Sequence, residues 1–389
     1  MKNLMFCALL ITWTGASFAQ GTWERKAEFP MPRWGAISFS IDNIGYIGTG
    51  ASHDSARNDF WKYNPANDSW QQISSMPTLG RYVAFCFVID NIAYVGAGIN
   101  SLGLADFEFW SYDPIQDQWT KKNHLLWMNF ADGTLTSFTI GHKGYLFSAF
   151  NQNNFKEYDP VTDTWTNLPS SPLNNLLSMV SFAIGEKGYI VAGYDGGHYD
   201  DNKQVWEYNT ETYQWTRKAD FPSPRVNGVG FSIGSKGYVG LGFSRAGYRT
   251  DFWEYDPISD YWLPLTDCPL VSIYGTAFTI GSKGYVGTGV SIDGKQMWEY
   301  TPESSSTNNV KITNELKLFP NPVRDRLRIA EDFFQPLQST IIGSDGRTFY
   351  HCKIIDQSID VSELPAGTYL LKCTTSKGEV LIGKFFKVE

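Results

Sequence analysis

Charge is sparse in this chain: 19% of its 389 residues are Asp, Glu, Lys or Arg, and no run of Lys and Arg occurs anywhere. With 40 acidic against 32 basic side chains the formal charge is −8, so a nucleic-acid partner is not expected. Histidine is scarcer still, five in all, with no His-x-His or other close pair to seat a transition metal. Five cysteines in a chain this long cannot form a disulfide framework. After the first 19 residues no stretch of about 20 apolar residues follows, which excludes a membrane-spanning helix. Nucleophile elbow, phosphate loop and zinc motif are all missing.

What the chain does have is aromatic side chains, 16% of the total, together with 36 glycines. That mixture fits short twisted strands and tight turns, not a helical bundle or a disordered chain. The start reads as a secretory signal over residues 1–19: Lys2, an apolar stretch from Leu4 to Trp13, then Ser17-Phe18-Ala19 as the cleavage signal. A mature chain beginning at Gln20 enters an oxidising compartment. There Cys352 and Cys373 are near enough in sequence to pair, while Cys86 and Cys268 are expected as buried free thiols.

An internal repeat dominates the chain from there to Pro302. The segment Phe60-Trp61-Lys62-Tyr63-Asn64-Pro65-Ala66-Asn67-Asp68-Ser69-Trp70 returns with its last Trp at Trp119, Trp165, Trp215 and Trp262. Each time a Tyr stands seven residues before that Trp. A second marker precedes each copy, at Tyr46, Tyr94, Tyr145, Tyr189, Tyr238 and Tyr285. One unit reads as four strands, for example Gly228–Ile233, a hairpin over Gly234-Ser235-Lys236-Gly237, Tyr238–Gly242, a strand around Trp253–Tyr255, and a last one opened by Trp262. Asp256-Pro257 marks the turn before it. Glycines ending the second strand (Gly48 and Gly50, Gly96 and Gly98, Gly240 and Gly242) point to a narrow place where neighbouring backbones meet. The last unit stops at Pro302 without its Trp, and Thr22-Trp23-Glu24-Arg25 supplies one. Joining the two ends gives six complete units in a ring, with no free sheet edge.

Glycine closing the second strand, Tyr-Asp-Pro after the third and Trp in the fourth resemble the kelch repeat. That resemblance implies an all-β, six-bladed kelch-type β-propeller over residues 20–302, its N-terminal strand closing the last blade. Blade three departs from the pattern, with Ser148-Ala149 for glycine and Lys156 for Trp. A polar linker, 303–311, leads to a module of different pattern, 312–389, expected as a small immunoglobulin-like β-sandwich. Its wording includes Leu318-Phe319-Pro320-Asn321-Pro322, Asp345-Gly346-Arg347 and the run from Ile359 to Tyr369. These resemble the type A C-terminal sorting domain of the type IX secretion system of Bacteroidota. The resemblance implies export, passage through the outer membrane, and a place outside the cell or on its surface, with the secretion machinery as a partner.

In such a ring the turns between strands one and two, and three and four, share one face, and here both sets are short and repetitive. Longer, dissimilar loops share the opposite face, where recognition residues are expected. Arg33, Arg81 and Arg225 occupy one register there, at a constant offset before Tyr46, Tyr94 and Tyr238. Trp34, Tyr82, Trp127, Tyr199, Tyr248 and Tyr274 lie nearby, and His198 sits in an acidic loop, 194–202. One reading makes Arg33, Trp34, Arg81, Tyr82, Trp127, His198, Arg225 and Tyr248 a ligand site, with arginine forks on an anion and aromatics stacked on a sugar or peptide side chain. The other makes the arginines scaffold, bonded to loop carbonyls. The acidic loop lacks the spacing of a calcium site, so neither metal nor other cofactor is expected. The function expected is a non-catalytic surface module binding glycan or protein. The alternative is a carbohydrate enzyme of kelch type, resembling a sialic-acid epimerase or, less closely, a copper-radical galactose oxidase.

Overall fold

A computed structural model of the chain describes residues 21–52, 55–123, 135–149, 154–173, 176–191, 193–194, 202–291, 293–303, 316–329, 338–343, 348–352, 354, 357–374 and 380–388. The expected signal peptide, and the linker after Glu303, lie outside the described residues. So do Trp127, His198 and Tyr199, and Asp345-Gly346-Arg347 of the C-terminal module.

Every described regular element is a strand. Between Thr22 and Thr301 they form six four-stranded antiparallel sheets, the blades. The first strand of each sheet packs beside the first strands of the sheets before and after it, and the cycle closes from Thr276–Ile280 back to Ile37–Ile41. The hairpins explain why these strands begin where they do. Ile41 pairs with Ile44 across Asp42-Asn43, and Ile233 with Lys236 across Gly234-Ser235. The first turn residue is left-handed in both, φ 52° at Asp42 and 57° at Gly234. The second strand therefore opens at Lys236, two residues earlier than the four-residue hairpin of the sequence reading requires.

Closure is made by Thr22–Lys26 on Met297–Thr301, with Trp23 opposite Tyr300. Tyr63 faces Trp70, Tyr112 faces Trp119 and Tyr255 faces Trp262 in the same way. The N-terminal strand thus supplies the one tryptophan that the last blade lacks.

Between blades, the phenylalanine at the centre of each first strand is the wedge. Its ring lies against the second strand of the next blade, where a Cβ on Gly144, Gly188, Gly237, Gly284 or Gly45 would come within 2.2–2.3 Å of it. Blade two carries Ala93 at this register. The glycines singled out from sequence do other work. Gly48 and Gly240 make room for their own blade's Phe60 and Phe252, and Gly50 and Gly242, at φ 80° and 89°, approach the backbone entering the first strand.

A two-pronged clamp fastens the outer rims. Asp68 Oδ1 accepts from the Tyr63 hydroxyl at 2.7 Å and from the Ala27 amide of the preceding blade at 2.9 Å. Trp70 Nε1 donates to the Ala27 carbonyl at 3.0 Å. Asp117 with Trp119 and Asp260 with Trp262 repeat both prongs, on Ser74 and Ala219. All three Asp are left-handed, φ 49–52°. Blade four breaks the pattern: Tyr213 holds the Asp position, and the chain it would grip offers Pro169, which has no amide proton. The Tyr208 hydroxyl and Trp215 Nε1 are buried there with no hydrogen-bond partner.

The C-terminal module has a three-stranded and a four-stranded sheet on one core that includes Leu327, Ile341, Leu371 and Phe385. Ser339 lies opposite Cys352 on one side and Cys373 on the other. The two cysteines are therefore two strand spacings apart, about 10 Å, beyond disulfide reach. That rules out the pairing the sequence left open, and Cys373 is a free thiol whose pKa burial raises to about 11. Cys86 and Cys268 are also free, and burial lifts both thiols to about 12.

Candidate functional site

The first strands line a central channel. Along it run three cavities that share wall residues, of about 130, 220 and 340 Å³ from the loop face to the tight-turn face. Alternation fixes the wall. In Ile37–Ile41 the apolar side chains are buried between blades, and the small ones, Ser38 and Ser40, face the axis. Wall hydroxyls are spent on the neighbouring blade: Ser38 donates to the Ala277 carbonyl at 2.8 Å, Ser137 to Cys86 at 2.7 Å and Ser181 to Ser137 at 3.0 Å.

At the loop-face mouth the chain enters five of the first strands, those whose approach is described, through a left-handed residue: Gly35, Val83, Ser178, Asn227 and Tyr274, φ 49–58°. Their amides form a relay from blade to blade. Val83 donates to the Gly35 carbonyl at 2.8 Å, Gly35 to Tyr274 at 3.0 Å, Tyr274 to Asn227 at 3.3 Å and Asn227 to Ser178 at 3.3 Å. A left-handed Val or Tyr costs about 1–2 kcal/mol, so the ring holds strain where a ligand would enter. Sequence reading misses this ring because five unlike residues share the register. Glycine and asparagine at two of the positions are its only trace.

The three arginines stand beside this mouth, inside the protein. Arg33 is 1% exposed, Arg81 and Arg225 0%. Arg225 donates to Asp251 Oδ2 at 2.6 Å and to the carbonyls of Leu241 at 2.9 Å and Ser223 at 3.0 Å. Arg33 reaches Asp59 Oδ2 at 2.8 Å, and Arg81 reaches the Ala97 carbonyl at 3.0 Å and Asp106 at 3.2 Å. Burial lowers all three guanidinium pKa values, that of Arg225 to about 10, despite the carboxylates. Burial also pushes the Asp59 and Asp251 carboxyls up, yet their arginines and the indole N–H of Trp61 and Trp253 outweigh it, leaving both below the usual range. Arg33, Arg81 and Arg225 thus point into their own blades, the terminal nitrogens of each bonded there, while Nε of Arg33 and of Arg81 is buried with no hydrogen-bond partner among the described residues; this favours the scaffold reading over ligand contacts. A signal for this exists in the sequence. The acidic partner follows each arginine by 25 or 26 residues. In blade six, Ser272 takes the register, its hydroxyl 2.7 Å from the Thr288 carbonyl and 3.5 Å from that of Ile273.

The aromatics fare differently. Trp34 is half-buried, its ring 4.9 Å from that of Tyr82 and 5.8 Å from that of Tyr274, so the three span blades six, one and two beside the mouth. Tyr248 is 52% exposed on the ribbon Phe243–Ser244 with Gly247–Tyr248, its ring edge-on to Phe243 at 5.6 Å. His142 lies on the tight-turn face, 2.7 Å from Asp90. Among the described residues no three His, Cys, Asp or Glu side chains gather as a metal site would need.

Residues 317–387 match the family model described as a secretion system C-terminal sorting domain. The tail carries an export signal. Such a domain of the type IX system engages the secretion machinery and sends the chain to the cell surface or beyond. A solved structure titled "Structure of YjhT" superposes with a TM-score of 0.59 at 19% identity, covering 70% of this chain and 95% of that one. At that identity the likeness speaks for the propeller fold alone. No curated protein matches the chain. Among the described residues no helix is long and apolar enough to cross a membrane.

Proposed function

We propose that the exported chain is a surface binding module whose propeller holds a glycan or a protein, without catalysis, at the loop-face mouth of its channel. The observation that carries this reading is the three-ring cluster of Trp34, Tyr82 and Tyr274 beside a ring of strained residues. Aromatic faces give a sugar's C–H face or an apolar side chain a flat, rigid contact at small entropic cost. Tyr248, Trp127 and His198 belong to connections on the same face and are proposed as its outer contacts. The kelch character of the repeat and the signal peptide over residues 1–19 belong to this proposal as well.

The test is binding of the purified mature chain to an array of glycans and surface proteins. Trp34→Ala and Tyr248→Ala should each lower the signal about tenfold, with the thermal midpoint within a few degrees of wild type. Turnover of a galactoside or a sialic acid by the purified chain would instead establish the enzyme reading. The tail has its own check. A chain ending at Pro302 should accumulate in the periplasm, and its normal appearance outside the cell would refute the sorting role.

A further inference from the structure

Resting on the glycan form of that reading, we propose that the mouth selects an uncharged saccharide and rejects sugar acids. Two independent observations carry this.

The first is the channel wall. None of the residues lining the three cavities is a Lys, Arg, His, Asp or Glu. A carboxylate seated at the mouth would lose water and meet no cation, only neutral groups: the Asn227 amide, the Ser178 hydroxyl, glycine backbone, apolar side chains and the Tyr274 ring. Burying an unpaired charge in this way is among the costliest steps a site can impose. A neutral sugar carries no such penalty, because its hydroxyls both donate and accept.

The second is where the cations have gone. A site for a sugar acid needs a free fork, usually arginine. Arg33, Arg81 and Arg225 are the three arginines nearest the mouth, and their forks bind Asp59, Asp106 and Asp251 inside the blades. Farther out, Arg57 donates to Ser52 and Arg249 to Asp251 and Ser223. Arg245 and Lys295 line none of the cavities.

The experiment is calorimetry on the mature full chain with two sets of oligosaccharides matched in length. One set is neutral (galactose, glucose or mannose ends) and the other ends in sialic or uronic acid. We expect neutral ends to bind at least tenfold more tightly, with a Kd that stays within twofold between low and high salt, because screening has no charge pair to weaken. Tyr274→Gly removes one ring while suiting its left-handed backbone, and it should cost neutral binding about tenfold in a folded protein. Tighter binding of sugar acids, or an affinity that falls steeply with salt, overturns this inference and leaves the glycan reading standing. Failure of both sets to bind overturns the two together, and an unchanged Tyr274→Gly moves the site away from the mouth.

Discussion

Tyr213 and Asp260 sit at the same point of two blades, two residues before the Trp, and do opposite things for stability. Asp260 satisfies the buried Tyr255 hydroxyl and the Ala219 amide at once, so Asp260→Ala should cost about 2–4 kcal/mol, an orphaned donor costing about 1–3. Tyr213 satisfies neither, is 55% exposed, and holds φ 57° against its own side chain. Tyr213→Asp would give the Tyr208 hydroxyl an acceptor and suit the left-handed backbone. It should raise stability by about 1 kcal/mol, read as a higher denaturation midpoint. Only one of the two prongs returns, because Pro169 has no proton to give. Arg225 makes the contrasting residue-scale case. Arg225→Met would leave Asp251 with only Arg249 and the Trp253 indole, so the cost should fall below the about 3–5 kcal/mol of an uncompensated buried charge. The pH dependence follows from Asp59 and Asp251. Their folded pKa values lie below the ordinary 3.8, so each stabilises the fold above that value. That stability is lost as pH falls from about 3.8 through the lower folded values. An acid titration should show Arg225→Met losing part of the wild type's steepness in that window.

At the scale of strands and blades, the seams are set by a ring against a residue without a side chain. Gly237→Ala would bring a methyl into the Phe182 ring, where an ideal Cβ lies 2.2 Å from it. The expected loss is about 1–3 kcal/mol, measured by denaturant unfolding. Four-stranded blades and their order are legible in the chain because Tyr and Trp recur at a fixed offset, and that offset is a cross-strand pair. The seams are less legible. Gly237 and Phe182 belong to different blades, a whole repeat unit apart along the chain, and nothing local in either marks the contact. Gly240 looks from sequence like a hub glycine and turns out to serve Phe252 in its own sheet. Burial of the arginines is hidden for the same reason. A cation at a loop register reads as available until folding brings a distant carboxylate, such as that of Asp251 for Arg225, against it.

For the whole molecule, one short strand decides whether the disc is closed. Removing residues 20–26 would expose the edge of Met297–Thr301, leave Tyr300 without Trp23, and free the Thr266 carbonyl that Trp23 Nε1 holds at 3.0 Å. The truncated chain should lose its cooperative unfolding transition and associate through the open edge, seen as higher-mass species in size-exclusion light scattering. Export belongs to the tail, and the proposed recognition to the propeller. The tail's charges balance, ten basic and ten acidic from Ile312 to Glu389, so the propeller carries the acidic excess.

The sealing strand is also the first part of the propeller to be made, and its mate is almost the last. A polypeptide threaded through a pore from its N-terminus delivers Thr22–Lys26 well before Met297–Thr301, with nearly the whole propeller between them. Throughout that interval the arc stays unzipped, with a raw border that any passing strand can capture. Latching therefore cannot come before the last blade's third strand is delivered, and a chain that stops short of Met297 keeps its border open.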